Sequence, residues 1–331
     1  MEEYIIENNI LRFNDEFNEP LDKYYKVLSN PEIDTIEFGR NFNQEIDHLI
    51  PSNIKVIKFE PHSRFNKDVN FLPESIKEIY YNSNKNHSLE ELQNLPKYLL
   101  KLGLGGNFEE LTENVLPNSL THLSLGTYFN QKITVNVLPN SLTHLTFGWY
   151  FNQELKENIL PNSLTHLIFG KNLTFGGRFN QELKEKVLPK NLTHLTFGGR
   201  FNQELKENVL PNSLTHLEFG NNFNQKISEN VLPNCLTHLV FGFYFNQEIT
   251  ENVLPNSLTH LTFDGHFNQK LTENVLPNSL THLTIRWYFK EIKENILPDN
   301  LKVLKIYYQN KDEILKNIDT SKIKFKIEYL F

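Results

Sequence analysis

The sequence predicts a β-rich repeat solenoid of about 15 coils, each roughly 22 residues long, with one parallel sheet on its concave face. Three observations predict it. First, Leu116-Pro117-Asn118-Ser119-Leu120-Thr121-His122-Leu123 recurs, nearly unchanged, with its proline at Pro139, Pro161, Pro189, Pro211, Pro233, Pro255 and Pro277. Second, every step between these prolines is 22 residues except Pro161 to Pro189, which is 28. Third, Leu123 and Leu125 alternate with His122 and Ser124, the period expected of a strand with one buried face.

Along the chain, residues 1–32 form an N-terminal capping segment, with a degenerate repeat near Leu11 and Phe13. The repeats span residues 33–306. Weaker copies come first: Ile33, Ile36 and Phe38; Ile54, Ile57 and Phe59; Ile76, Ile79 and Tyr81; Leu99, Leu102 and Leu104. After the near-identical block, Leu301, Leu304 and Ile306 close the series, and residues 307–331 form a C-terminal cap with a degenerate strand near Ile323 to Ile327. An end coil shields the core on one side and faces water on the other, so atypical terminal repeats are expected. Lys171 to Gly176 are the six extra residues of the long step and predict a loop insertion.

Within one coil, Leu120, Leu123 and Leu125 follow the Leu-x-x-Leu-x-Leu spacing of a leucine-rich repeat. Gly126 is expected to permit a turn that a side chain would hinder. Phe129, Ile133 and Leu138 are expected to point inward. Pro139 lacks a donor and suits the approach to a strand, not its middle. The Asn after each Phe (Asn130, Asn152, Asn180, Asn202, Asn224, Asn246, Asn268) is expected to satisfy backbone groups of its own and the neighbouring coil. The six residues Gln131 to Asn136 leave little room for a helix, so short turns are expected there.

Composition narrows the function. The net charge is −7 with both signs mixed, which argues against a nucleic-acid partner. Cys235 is the only cysteine, so no internal disulfide is possible and a reducing, cytoplasmic location is expected. The Met1-Glu2-Glu3-Tyr4 start is acidic and no apolar signal region follows it. No run approaches the length of a membrane span. Alanine is absent, while Asn, Lys, Ile, Phe, Leu and Tyr abound, as in an AT-rich genome.

The combination of Phe-Asn-Gln-x-Ile/Leu with Leu-Pro-x-Ser-Leu-x-x-Leu at 22-residue spacing resembles the FNIP repeat, a leucine-rich-repeat relative of social amoebae and the giant viruses that infect them. The third and fourth letters depart from the family name, being Gln-Glu or Gln-Lys; Phe17-Asn18-Glu19-Pro20-Leu21 is closer to it. Members often carry an N-terminal F-box. Residues 1–32 are too short to be one, so the resemblance implies an interaction role but not a ubiquitin-ligase adaptor. If the protein is viral, its expected place is the host cytoplasm.

Two rows of residues are candidates for function. His122, His144, His166, His194, His216, His238, His260 and His282 share one strand position on the concave face. They read either as a stacked ladder copied by duplication or as a comb of metal ligands. The second row is the dipeptide before each Phe-Asn, which varies where its surroundings repeat: Tyr128, Trp149, Tyr150, Arg178, Arg200, Phe243, Tyr244, His266, Trp287 and Tyr288 stand there. Aromatic and Arg side chains dominate binding hot spots. This edge, with face positions such as Ile168, Glu218 and Val240, is therefore the expected partner-binding surface, against the alternative that it drifts unconstrained. Cys235 has no organised base, and no phosphate loop is present, so no enzyme and no cofactor is expected. The expected function is a protein–protein interaction scaffold. The alternatives are a metal-binding protein using the His row, or a recently amplified repeat without a selected partner.

Overall fold

The computed structural model describes every residue except 1–2, 47, 68, 70, 82–91, 107–110, 171–175, 287–291, 317, 319–322 and 331. The loop expected at Lys171 to Gly176 therefore lies outside the described residues save for Gly176. The chain divides into two compact units, one of residues 1–153 with 159–164, the other of residues 154–158 with 165–331. Both are stretches of a parallel-sheet solenoid with coils of about 22 residues, about 13 turns in all.

In the first unit the strands lie side by side in chain order: β1 (Tyr4–Glu7), β2 (Ile10–Phe13), β3 (Thr35–Phe38), β4 (Val56–Phe59), β5 (Glu78–Tyr80), β6 (Lys101–Gly103), β7 (His122–Ser124) and β8 (His144–Phe147). β1 folds back antiparallel on β2 through Asn8 and Asn9, both at positive φ, as a two-residue hairpin requires. From β2 onward each strand pairs parallel with the next, in strict register from repeat to repeat, so Leu102 meets Leu123 and Leu123 meets Leu145. A 3₁₀ turn at Leu21–Tyr24 runs into the short helix α1 (Tyr25–Leu28) and covers the first coil with Leu21 and Leu28.

The second unit repeats the plan with β9 (His166–Phe169), β10 (His194–Thr196), β11 (His216–Glu218), β12 (His238–Phe241), β13 (His260–Phe263), β14 (His282–Ile285), β15 (Val303–Tyr307) and β16 (Lys326–Leu330), all parallel. Helix α2 (Lys311–Leu315) joins the last two strands. No helix among the described residues is long and apolar enough to cross a membrane.

The core consists of side-chain rows running across the coils. Leu120, Leu123, Leu125, Phe129, Ile133 and Leu138 are all at most 4 % exposed, as the repeat predicts. Two phenylalanines per coil stack on each other and on their counterparts: Phe219 lies 3.8 Å from Phe223 within a coil and 5.7 Å from Phe197 in the one before. Burying each such ring is worth about 2 kcal/mol relative to exposure.

The polar rows work by the same translation. Asn130 Oδ1 accepts the backbone N–H of Asn152 at 2.8 Å, and Gln153 donates to the Asn130 carbonyl at 3.0 Å. The Asn row thus satisfies backbone groups across coils as expected, and the following Gln joins it. Ser141 donates to the Leu120 carbonyl at 2.6 Å, a bond repeated by Ser163 and Ser213. The connecting stretch is extended and then turns, with no helix between Gln131 and Asn136.

The turn expected at the strand exit is present, with Phe129 N–H donating to the Gly126 carbonyl at 3.0 Å, and its glycine is required by space rather than by positive φ. Gly126, Gly148 and Gly220 do not adopt positive φ. A Cβ at Gly148 or Gly220 would instead overlap the carbonyl oxygen of the glycine one coil earlier. Positive φ falls at the Asn three residues before each repeat proline. Asn114, Asn136, Asn158, Asn208, Asn230, Asn252 and Asn274 all have φ between 62° and 67°. Asn tolerates this left-handed geometry through its short polar side chain. Lys186 holds the same geometry at φ 64° without that advantage. Lys186→Asn is expected to stabilise the protein by about 0.5–1 kcal/mol, and Gly220→Ala to destabilise it by ~2 kcal/mol or more through overpacking. Denaturant melts of both variants check this, and a neutral Gly220→Ala would remove the close-approach argument.

Candidate functional site

The histidines sit where alternation places them. On each strand His is half-buried on the outer sheet face, while the following Leu is buried. In the first unit the rings of His122 and His144 stack at 4.0 Å. In the second unit His166, His194, His216, His238, His260 and His282 form one continuous stack, with centroids 4.1–4.2 Å apart and planes within 9–12° of parallel.

The preceding threonine fixes how each ring is protonated. Thr215 Oγ1 lies 3.1 Å from the Thr193 carbonyl and 2.8 Å from His216 Nδ1. A carbonyl only accepts, so the single hydroxyl proton goes there, and Nδ1 must donate to the hydroxyl. The same pair of bonds holds at His122, His144, His194, His238, His260 and His282. Each neutral ring is therefore the Nδ1–H tautomer, with its lone pair on Nε2. Because the rings are parallel and identically anchored, these lone pairs run side by side rather than converging. A tetrahedral metal needs converging ligands. Among the described residues no group of three or more His, Cys, Asp or Glu is placed to hold a metal ion.

Burial, ahead of repulsion from neighbouring imidazoles, lowers the pKa of His194 and His238 to about 4. His216 and His260 are lowered for the same first reason. These four imidazoles therefore resist charging chiefly because the sheet face takes them out of water, and like-charge repulsion adds to this at His194, His238 and His260.

Elsewhere the same sheet face carries charge ladders. Glu37 accepts from Arg12 at 2.7 Å and Lys58 at 3.2 Å. Burial alone would raise the Glu37 pKa, but these two hydrogen bonds and the adjoining cations outweigh it and lower it. Lys101 pairs with Glu78 at 2.9 Å.

Among the described residues, rings of the variable edge cluster in each unit. In the first, Tyr128 and Tyr150 lie 5.2 Å apart and Trp149 is 6.1 Å from Tyr150. In the second, Phe243 packs edge-on to Tyr244 at 5.1 Å and to His266 at 4.7 Å, and Tyr244 stacks on His266 at 5.3 Å. Tyr128 and Tyr244 remain 46 % and 51 % exposed. Arg200 is exposed and Arg178 half-buried on neighbouring coils, with the Arg200 N–H donating to the Gly177 carbonyl. Trp287 and Tyr288 lie outside the described residues. A cavity of about 320 Å³ opens beside this edge in the second unit, over Gly198, Gly220 and Gly242, and is rimmed by Glu218, Asp264 and Arg286. Sequence reading passed over Asp264 and Arg286, which pair at 3.6 Å; they depart from the repeat consensus, and that departure was the available signal. Cys235 is exposed and free.

The unfolded chain binds protons at His near pH 6.5, but the folded row does so only near pH 4 at His194 and His238. The resulting stability is complete above about pH 6.5 and is lost as pH falls toward 4. Melting temperature is expected to drop by several degrees between pH 7.5 and pH 5.0, and less in a His194→Gln/His238→Gln variant. Equal pH dependence in both proteins would exclude these imidazoles as the cause. Two-bond ¹⁵N–¹H correlations above pH 7 are expected to show the Nδ1–H tautomer along the row.

The FNIP Repeat profile matches residues 42–83, 86–128, 129–172, 171–200, 201–244 and 245–286. Among solved structures, the giant-virus protein CroV588, described as a novel circular leucine-rich-repeat protein, is 35% identical over 99% of this chain and 100% of its own, with a TM-score of 0.28. The internalin InlF of Listeria monocytogenes is 16% identical over 98% of this chain and 86% of its own, with a TM-score of 0.52, a likeness of fold. The leucine-rich-repeat domain of APL1 is 13% identical over 93% of this chain and 77% of its own, with a TM-score of 0.46. No curated protein matches the chain. With six adjoining or overlapping matches across most of its length, the chain belongs to the FNIP repeat family.

Proposed function

We propose that the protein is a non-enzymatic scaffold that binds a protein partner through the His-bearing sheet face and the aromatic edge beside it. The observation that carries this reading is the exposure of packed aromatic clusters where the rest of the coil repeats. Tyr128, Trp149 and Tyr150 in one unit, and Phe243, Tyr244 and His266 in the other, supply rigid apolar area with polar tips. Such side chains lose little conformational entropy on binding and dominate hot spots. The repeat fold supports the reading too, since stacked coils present extended binding surfaces. The lone cysteine and the mixed charge are in keeping with a cytoplasmic protein that takes neither nucleic acid nor membrane as partner.

Capture from an amoebal lysate tests the proposal. Wild type is compared with Tyr128→Ala/Trp149→Ala/Tyr150→Ala and with Phe243→Ala/Tyr244→Ala/His266→Ala, each first shown to fold by circular dichroism. A partner retained by wild type is expected to be lost by at least one variant, with affinity reduced ~30-fold or more, as for a hot-spot residue. Equal retention by all three proteins would move the site off the edge.

A further inference from the structure

Two strands end the sheet ladders of the described residues: β1 pairs only with β2, and β16 only with β15. Both present unfinished rows of the core. Tyr4 and Ile6 lie in register with Phe13 and Leu11, and Ile327 and Tyr329 with Leu304 and Ile306. The inner partners are at most 1 % exposed, yet Ile6 is 47 % and Tyr329 41 % exposed. Each end therefore shows the apolar surface that a further strand would cover.

The backbone parity of the two edges also matches. The two-residue turn at Asn8 and Asn9 makes Glu7 and Ile10 a hydrogen-bonded pair, and Asn14 N–H donates to the Glu3 carbonyl at 3.0 Å. Residues 3, 5 and 7 thus serve β2, and the N–H and C=O groups of Tyr4 and Ile6 point off the edge. At the other end Lys326 N–H donates to the Lys302 carbonyl at 2.8 Å. Lys326, Glu328 and Leu330 therefore serve β15, and the backbone groups of Ile327 and Tyr329 point outward.

We propose that β1 of one copy pairs antiparallel with β16 of a second copy, with Ile6 opposite Ile327 and Tyr4 opposite Tyr329. This register joins outward-pointing backbone groups to each other and continues the core row across the junction. It also sets Glu7 opposite Lys326, a favourable cross-strand charge pair. Ile5 falls opposite Glu328, whose carboxylate is already held by Lys305 at 3.0 Å and Lys326 at 2.8 Å. Sliding β1 by two residues toward Leu330 would instead set Glu7 against Glu328. Charge thus favours the first register over that one. The contact is heterologous, so a pair of copies keeps one free head and one free tail, and association continues with concentration.

Sedimentation velocity over a concentration series tests this with the full chain. Wild type is expected to grow beyond the mass of one chain. Glu7→Lys alone and Lys326→Glu alone are each expected to lose association about tenfold or more, while an equimolar mixture of the two recovers it as alternating chains, because each position 7 then meets a position 326 of opposite charge. A second measurement does not rely on these charges. In a Cys235→Ser background, an Ile6→Cys chain mixed with an Ile327→Cys chain is expected to form a disulfide between copies with oxidised glutathione. Far-ultraviolet circular dichroism confirms that each variant folds. A wild type that stays a single chain at every concentration would overturn the proposal. So would a disulfide formed inside a chain carrying both cysteines while the mixed chains stay unlinked.

Discussion

The close approach of backbone to backbone at the strand exits sets the terms for the rest of the molecule. Gly148 and Gly220 have no room for a Cβ because the carbonyl of the preceding glycine occupies that place. Neighbouring coils are thus held at the spacing of a parallel strand pair. Once that translation is imposed, every row must obey it: leucines stack on leucines, phenylalanines on phenylalanines, and the imidazoles at 4.1–4.2 Å. A repeat protein of this kind has one local solution that serves many times, and stability follows from nearest-neighbour contacts. The near-literal repetition of the sequence is what a single translation allows, because each coil sees the same surroundings as the last.

The strands, their register and the core were legible because they depend on period and polarity alone. Leu123 and Leu125 repeat every 22 residues, and a parallel ladder in register is the arrangement that buries all of them together. The Asn row was legible for a related reason: a short amide recurring beside a turn has orphaned backbone groups to satisfy. What a one-dimensional pattern does not carry is the direction of a proton or the reason for a glycine. A glycine that avoids a clash looks the same in sequence as one that adopts positive φ, so the turn at Gly126 was legible but the backbone that a side chain there would meet was not. The positive φ resides at Asn136 and its equivalents, where Asn recurs without any other mark. The aromatic edge was visible as a break in repetition, yet its division into packed clusters required the third dimension.

The histidine row shows how a repeat converts a modest preference into a collective property. One imidazole on a strand face would titrate near its usual range. Stacked between two others and anchored by Thr Oγ1, it loses solvent on both ring faces and is pushed down. Burial leads over charge repulsion because neutral neighbours already exclude water before any proton arrives. The threonine contributes a second constraint. It gives its only proton to the carbonyl of the preceding coil, so the ring donates through Nδ1 wherever both bonds are present. Parallel anchoring then separates the Nε2 lone pairs into a comb.

Translation also has a cost at the ends. An interior coil covers both of its neighbours, but a terminal coil must stop the pattern, and the two ends stop it unequally. At the start, Leu21 and Leu28 fold over the first coil beneath α1, and β1 turns back antiparallel, which changes the polarity of the edge. At β16 the strand direction is unchanged and Tyr329 remains open. A reversed first strand offers a parallel edge an antiparallel mate, with residues of the same parity facing outward. The hairpin at Asn8 and Asn9 is therefore more than a cap: by reversing one strand it makes the head of the solenoid complementary to its tail.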